Sequence, residues 1–306
     1  MKLIGENIHI ISKKTREAIE SRNKGLIQEM ALKQKDMEWI DLNIGPARKG
    51  WEGTMDWLTN TILEVLPSSK LSFDSSNIRE IESGLKLVKN PTECIVNSAS
   101  ADPERLENMV RVASEYGTYL IALTLSDETG IPREADGRME MACVITEKTA
   151  ESGIDNTKIL MDPLVLPVSV DQSQAMEALN AIRMFKESFD PAILTTIGLS
   201  NISNGSPKEL RPLINRVFAV MAAGSGLDTA IADALDIELI RVNRVIETQT
   251  IEKDSDKLYL NIFNLMQEFG EFEDLTYNKE NPEEIAIYKT AEILMNKNIY
   301  AHNYLG

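Results

Sequence analysis

The chain has 306 residues, 43% apolar and 26% charged, the balance of an ordinary folded protein, which excludes long disorder. Its formal net charge of −16 excludes a protein built to grip nucleic acid, because phosphate contacts need clustered Lys and Arg. No apolar run approaches the roughly 20 residues of a bilayer span, so no membrane association is expected.

The start, Met1-Lys2-Leu3-Ile4-Gly5-Glu6, meets charge too early for a secretory signal, which points to a cytoplasmic protein. Cys94 and Cys143 are far apart and form neither a disulfide framework nor a metal-ligand spacing. In that compartment both thiols stay reduced. The first strand is expected over 2–8, and a helix over 13–35. Strands follow over 38–44 and 70–75, then a helix over 77–89 with Ile78, Ile81, Leu85 and Val88 at helical spacing. A strand over 93–98 contains Cys94, which reads as a core residue. Asp102-Pro103-Glu104 then opens a helix, with a capping Asp and Pro in the first turn. Further strands at 118–125, 158–164, 192–200 and 227–232 alternate with helices at 137–152, 171–187 and 207–222.

Most of these strands are continuous apolar runs, as in a parallel sheet covered on both faces. Eight strand–helix units predict an α/β fold, a (β/α)8 TIM barrel, which needs about 250 residues. An open doubly wound sheet is the alternative. No Gly-x-Gly-x-x-Gly turn follows the first strand, so the dinucleotide fingerprint is missing, and no Walker-type phosphate loop is present. The whole chain, 1–306, reads as one barrel domain. The charged segment 247–284 breaks the alternation and reads as a helical insertion or extension. A helix over 283–300 would then close the barrel.

The strands end repeatedly in carboxylates or side-chain amides. In a barrel these ends share one working face. The residues expected there are Glu6, Asp41, Asn43, Asp74, Asn97, Asp162, Ser200, Asn201 and Asp233. Asp74, Asn97 and Asp162 come from three strands. They offer two carboxylate acceptors and one amide that both donates and accepts, a match for the N–H edge of a 2-amino-4-oxo pyrimidine ring. Each could instead cap a helix or anchor a loop. Asp41, Asp74 and Asp162 could also hold Mg²⁺, although no phosphate-binding glycine loop accompanies them. His9 and His302 are the only histidines, and neither stands beside a nucleophile, so no Ser-His or Cys-His machinery is expected.

Several segments together resemble a known family. They are Ile4-Gly5-Glu6, Leu42-Asn43-Ile44-Gly45-Pro46, Phe73-Asp74-Ser75-Ser76-Asn77 and Ile95-Val96-Asn97-Ser98. To these add Met161-Asp162-Pro163-Leu164, Gly198-Leu199-Ser200-Asn201 and Arg211-Pro212-Leu213-Ile214-Asn215-Arg216. Their order, spacing and placement are similar to those of the pterin-binding methyltransferases. The likeness is strongest to the methyltetrahydrofolate–corrinoid protein methyltransferases, relatives of the folate domain of cobalamin-dependent methionine synthase. It runs from residue 3 to about 240 and resumes at about 285.

The resemblance implies a homodimeric barrel that binds tetrahydrofolate, or 5-methyltetrahydrofolate as substrate, in its mouth. It implies that Asp74, Asn97 and Asp162 hold the pterin, with Glu6, Asn43, Gly198 and Ser200 among the contacts, and that no metal is bound by the protein itself. Asn201 would act near N5, and Arg211 near the folate tail or rim. The cobalamin belongs to a separate corrinoid protein that docks transiently over the mouth. Cob(I)alamin is itself a strong nucleophile, which fits a site without a protein nucleophile. The leaving N5 amine needs hydrogen bonding or protonation, which Asn201 would assist while water brings the proton. Transfer could run from methyltetrahydrofolate to cob(I)alamin, or from methylcobalamin to tetrahydrofolate. His9 stands where the family often has Asn, and the loop from Asn201 to Arg211 is about two residues longer than usual. The alternatives are a dihydropteroate synthase-like enzyme, which should need a Lys/Arg anion site at the strand ends, and a non-catalytic pterin-binding subunit of a corrinoid complex.

Overall fold

The structure, a computed structural model, describes residues 1–46 and 50–306. Eight parallel strands close into a barrel in chain order: β1 (Lys2–His9), β2 (Trp39–Gly45), β3 (Lys70–Ser75), β4 (Ile95–Ser100), β5 (Tyr119–Leu123), β6 (Ile159–Asp162), β7 (Leu194–Gly198) and β8 (Thr229–Ala232). The (β/α)8 barrel expected from the alternation is the fold observed.

Side chains alternate across each strand, so every second residue enters the lumen. The outward set, including Leu42, Phe73, Val96, Leu120 and Met161, packs against the helices. The inward set forms a plug of Ile4, Trp39, Ile95, Ile121 and Leu160, with Ile231 and Leu194 against it. Two residues further along these strands the inward positions become Glu6, Asp41, Asn97 and Asp162. The barrel is therefore a dry stopper below and a polar cup above.

The outer layer departs from the sequence reading in places. The expected helix over 13–35 is two helices, α1 (Lys13–Glu20) and α2 (Lys24–Leu32). Ser21 ends the first, Arg22 takes a left-handed φ of 52°, and the Asn23 side chain caps the second through Leu26 N. Helix α3 (Thr54–Leu63) has no counterpart in the sequence reading. It lacks a side-chain cap of its own. The Glu80 carboxylate, on α4 (Ile78–Leu85), instead accepts from Gly53 N and Met55 N at 2.7 and 2.8 Å. Cys94 lies just before β4 rather than inside it, and is buried as expected. Asp102 does occupy the cap position of α5 (Pro103–Tyr116), but its carboxylate accepts from Ser100 Oγ and Asp127 N instead of from the helix.

Helices α6 (Ala135–Glu151), α7 (Ser173–Ser188) and α8 (Arg211–Gly224) follow β5, β6 and β7. After β8, α9 (Ile237–Thr248) takes the eighth helix position, and its Asn243 side chain donates to Met1 O at 2.9 Å beside β1. The segment read as an insertion holds α10 (Asp256–Gln267), which lies on α8. The fully buried Asp256 receives Arg241 from α9 at 2.7 and 2.9 Å. The last helix, α11 (Pro282–Leu294), lies over α7 and α8, so closure falls to α9 and not to the tail.

The contact of α8 with α10 depends on Gly224. A Cβ there would stand 2.4 Å from the Phe263 carbonyl oxygen and 2.8 Å from Met266 Cβ. Backbone cannot move aside as a flexible side chain can. Gly224→Ala is therefore expected to lower stability by about 1–3 kcal/mol, measured as a reduced urea midpoint.

Candidate functional site

Strand register brings the expected residues to one level. Asn43 on β2 pairs with Asp74 on β3, Asp74 with Asn97 on β4, and Leu123 on β5 with Asp162 on β6. The Asn43 amide donates to Asp74 Oδ2, while Asn43 Oδ1 accepts from Gly45 N at 3.1 Å. Asn43 is thus an anchor for Asp74. Asp41 sits one layer deeper than a strand end. It accepts from Ser72 Oγ at 2.6 Å and from the Asn97 amide at 3.3 Å. β2 and β4 are not neighbours, so the second bond crosses the lumen and orients Asn97.

Asp162 ends β6 and is buried. Its Oδ1 accepts from Leu164 N at 2.7 Å, across a turn in which Leu164 takes φ 68°. Such a backbone angle is uncommon for a branched residue and clusters at functional sites.

The run 192–200 implied that Ser200 ends the seventh strand, but β7 stops at Gly198, short of both Ser200 and Asn201. They lie on a 3₁₀ turn, Leu199–Ser203, held down by buried Leu199 and Ile202. Ser200 Oγ donates to Glu6 Oε1 at 2.5 Å, which ties this turn to β1. The exposed Asn201 receives the Asn204 amide on its Oδ1 at 3.4 Å. A Cβ on Gly198 would come within 2.9 Å of Asn201 Nδ2, so the glycine makes room for that side chain over the end of β7.

Arg211 opens α8 and donates from Nε to Ser206 O at 2.8 Å. It lines a rim cavity of about 640 Å³ with Ser200, Lys208, Asn215 and Arg216. Arg216 is held by Asp236. A second cavity, of about 720 Å³, lies across the mouth at the ends of β3 to β5 and includes Ser76, Ser100 and Arg105. Two supporting residues are absent from the sequence reading. The Asn7 amide donates to Asp233 at 2.6 Å, and its Oδ1 accepts from Ala234 N at 2.9 Å. Arg105 donates to Ser98 O at 3.0 Å, and its charge acts on Asp74. His9 lies within the field of Asp233, which raises its pKa while burial lowers it by more.

Burial sets the electrostatics. It raises Glu6 to about 7, with the charges of Asp233 and Asp41 adding to it and the Ser200 bond opposing. It raises Asp41 to about 6 against the bonds from Ser72 and Asn97. It raises Asp162 to about 7 against Leu164 N, the Arg138 charge and Gly198 N. Asp74 is pushed well above its ordinary value by burial and by Asp41, with Asn43 and Arg105 pulling the other way. Burial also pushes the Cys94 thiol up to about 11, away from reactivity. Among the described residues no three His, Cys, Asp or Glu side chains are placed to hold a metal ion. The cup is a set of carboxyls that burial pushes toward their neutral forms, with an amide beside them. Such a site answers a ligand rich in N–H donors.

A (β/α)8 barrel with this cup defines the class. Residues 38–233, well over half of the chain, match the pterin-binding enzymes, and the chain belongs to that family. It is similar to the methionine synthase of Mycobacterium leprae, with 32% identity over 197 residues, 61% of this chain and 16% of that protein. It is also similar to that of Mycobacterium tuberculosis, with 32% identity over 189 residues, 58% of this chain and 15% of that protein. The chain thus matches only about a sixth of the length of these relatives. Among solved structures, the dihydropteroate synthase of Yersinia pestis superposes with a TM-score of 0.56 at 14% identity, covering 81% of this chain and 92% of that one. The Xanthomonas albilineans dihydropteroate synthase with 4-aminobenzoic acid gives 0.57 at 14% identity, covering 81% and 93%. At that identity the likeness is one of fold.

The raised carboxyls make stability depend on pH. An acid whose pKa rises on folding binds protons more tightly in the folded state. Its contribution is fully present below the unfolded value near 4 and is lost as pH climbs toward 7. The ligand-free protein is therefore expected to lose stability from pH 5 to pH 7.5. Asp162→Asn keeps the acceptor for Leu164 N but cannot ionise. It should flatten that decline and raise stability at pH 7.5 by about 1–3 kcal/mol, read from urea midpoints across pH.

Proposed function

We propose that this barrel moves a methyl group between N5 of tetrahydrofolate and the cobalt of a corrinoid carried by a partner protein. The observation that carries this reading is the placement of Asn201 on the turn after β7, beside a cup of Asp74, Asn97 and Asp162. It occurs in a chain that shares 32% identity with methionine synthases over 197 residues.

The carboxylates of Asp74 and Asp162 would take the N–H edge of the pterin, and the Asn97 amide its oxygen or a ring nitrogen. Asp41 and Asn43 hold Asn97 and Asp74 in place. Lys208 and Arg211 suit the carboxylates of the folate tail. In the forward sense the N5–CH₃ bond breaks, a cobalt–carbon bond forms, and the electron pair left on N5 takes a proton. The corrinoid supplies the nucleophile. The task of this chain is to hold the ring, and to stabilise protonated N5 through the Asn201 carbonyl oxygen. Glu6, raised to about 7 and bonded to Ser200 next to Asn201, lies well placed to feed a water that delivers the proton.

Delivery of the second reactant has a surface to use. Ile11, Val170, Ile237 and Ile299 are 80%, 78%, 78% and 83% exposed. Ile11 and Val170 sit on the loops after β1 and β6, and Ile237 is the first residue of α9, after β8. Ile299 belongs to a tail bonded to Gln172 at the start of α7, on the same face. Exposed apolar side chains on one rim favour a transient protein contact there. A homodimer belongs to the same proposal.

Anaerobic mixing of the protein with cob(I)alamin and 5-methyltetrahydrofolate should bleach the cob(I)alamin absorbance. Asn201→Ala should bind tetrahydrofolate but slow the transfer by about 100-fold. Binding without bleaching, even with the native corrinoid protein present, would reduce the chain to a pterin-binding subunit.

A further inference from the structure

The loop between β7 and α8 carries Asn201 and Arg211, and one buried residue ties its two ends together. Ser206 donates from its N–H to Ser203 O at 3.0 Å, within the turn that carries Asn201. Its carbonyl accepts from Arg211 Nε at 2.8 Å. On one side this loop is held by the segment after β6. Val168 N donates to Ile202 O at 2.9 Å, and Ser169 Oγ donates to Asn204 O at 2.7 Å.

On the other side the loop meets the tail. Tyr300 Oη donates to Ser206 Oγ at 2.7 Å, across 94 residues of sequence. The tail does not need that bond to stay in place. Tyr300 N donates to Gln172 Oε1 at 2.7 Å, and the Gln172 side-chain amide donates to Asn298 O at 2.7 Å and to Asn296 Oδ1 at 2.8 Å. Gln172 thus spends its oxygen and both amide hydrogens on the tail. Further along, the Tyr304 and Thr290 hydroxyls lie 2.8 Å apart, which fastens the tail to α11. With the tail anchored before and after it, the Tyr300 hydroxyl is left to hold the loop.

We propose that Tyr300 is a positioning residue for the mouth: through Ser206, its hydroxyl fixes the loop that presents Asn201 and Arg211. Tyr300 acts through that serine and not by contact with the ligand. One hydrogen bond between side chains adds little to global stability, but a loop opens locally at far lower cost than the whole chain unfolds. Loss of the bond is therefore felt first at the loop. A misplacement of about 1 Å at a reacting group is enough to slow a reaction heavily. The hold on the loop does not require the methyl-transfer reading, but its consequence for the transfer rate rests on it.

Tyr300→Phe removes the hydroxyl and keeps the ring beside Tyr304. Hydrogen exchange of the ligand-free full chain, read amide by amide, should speed up about tenfold at Asn204 and Ser206 and stay unchanged in α11. Ser206→Ala cuts the same bond from its other end. It should reproduce the effect, and the two changes together should do no more than either alone. Methyl transfer from 5-methyltetrahydrofolate to cob(I)alamin should slow about tenfold in Tyr300→Phe, with no further slowing when the change is added to Asn201→Ala. Unaltered exchange at the loop overturns the proposal. So does a further tenfold loss on the Asn201→Ala background, because a general weakening of the structure would add to that change. Unchanged transfer despite faster exchange overturns the positioning role as well. Faster exchange in a protein whose natural form transfers no methyl group would sink the proposed function and leave the hold of Tyr300 on the loop standing.

Discussion

The structure depends on an abrupt change of polarity inside one barrel. The lumen is closed below by Ile4, Trp39, Ile95, Ile121 and Leu160, and two residues later the same strands turn carboxyls and an amide inward. The plug denies these groups water from beneath. The closed sheet holds Asp41 near enough to Asp74 that its charge adds to burial in raising Asp74. Neighbouring buried carboxyls cannot all ionise unless something positive or rich in N–H donors answers them. That demand is met in part by the protein, through Ser72, Asn43, Leu164 N and the charge of Arg138, and the remainder is directed at a ligand.

Much of the outer structure steadies one side of this cup. Helix α8 begins with Arg211 and forms a wall of the rim cavity, and it is covered by α10 and α11. Gly224 lets α10 approach, and the Arg241–Asp256 pair holds α10 to α9. The tail reaches the same place: Tyr300 hydroxyl and Ser206 Oγ lie 2.7 Å apart, and Ser206 O accepts from Arg211. The segment after β8 therefore buttresses the loop that carries Asn201. The fold resists at the helices what it must permit at the mouth.

The legible part of this molecule was set by short-range periodicity. Buried parallel strands leave continuous apolar runs, and an Asp or Asn at the end of one has no packing reason to be there, so Asp74, Asn97 and Asp162 stood out. What escaped was set by contacts distant in sequence. Helix α3 is capped by Glu80, some 25 residues away, and a local reading has no cap to find. The depth of Asp41 depends on register with Ser72. Ser200 and Asn201 fall on a turn because Leu199 and Ile202 are buried beneath it. Closure by α9 follows from three-dimensional space that the charged run 247–284 does not reveal.

In the proposed function, the buried carboxyls of the cup become acceptors for the N–H edge of a pterin. Calorimetric titration with tetrahydrofolate near pH 7, in two buffers of different ionisation enthalpy, tests it most directly. Saturable binding with net release of protons is expected, as Asp162 and its neighbours ionise against the ring. No binding at millimolar concentration, or binding with no proton released, would contradict it.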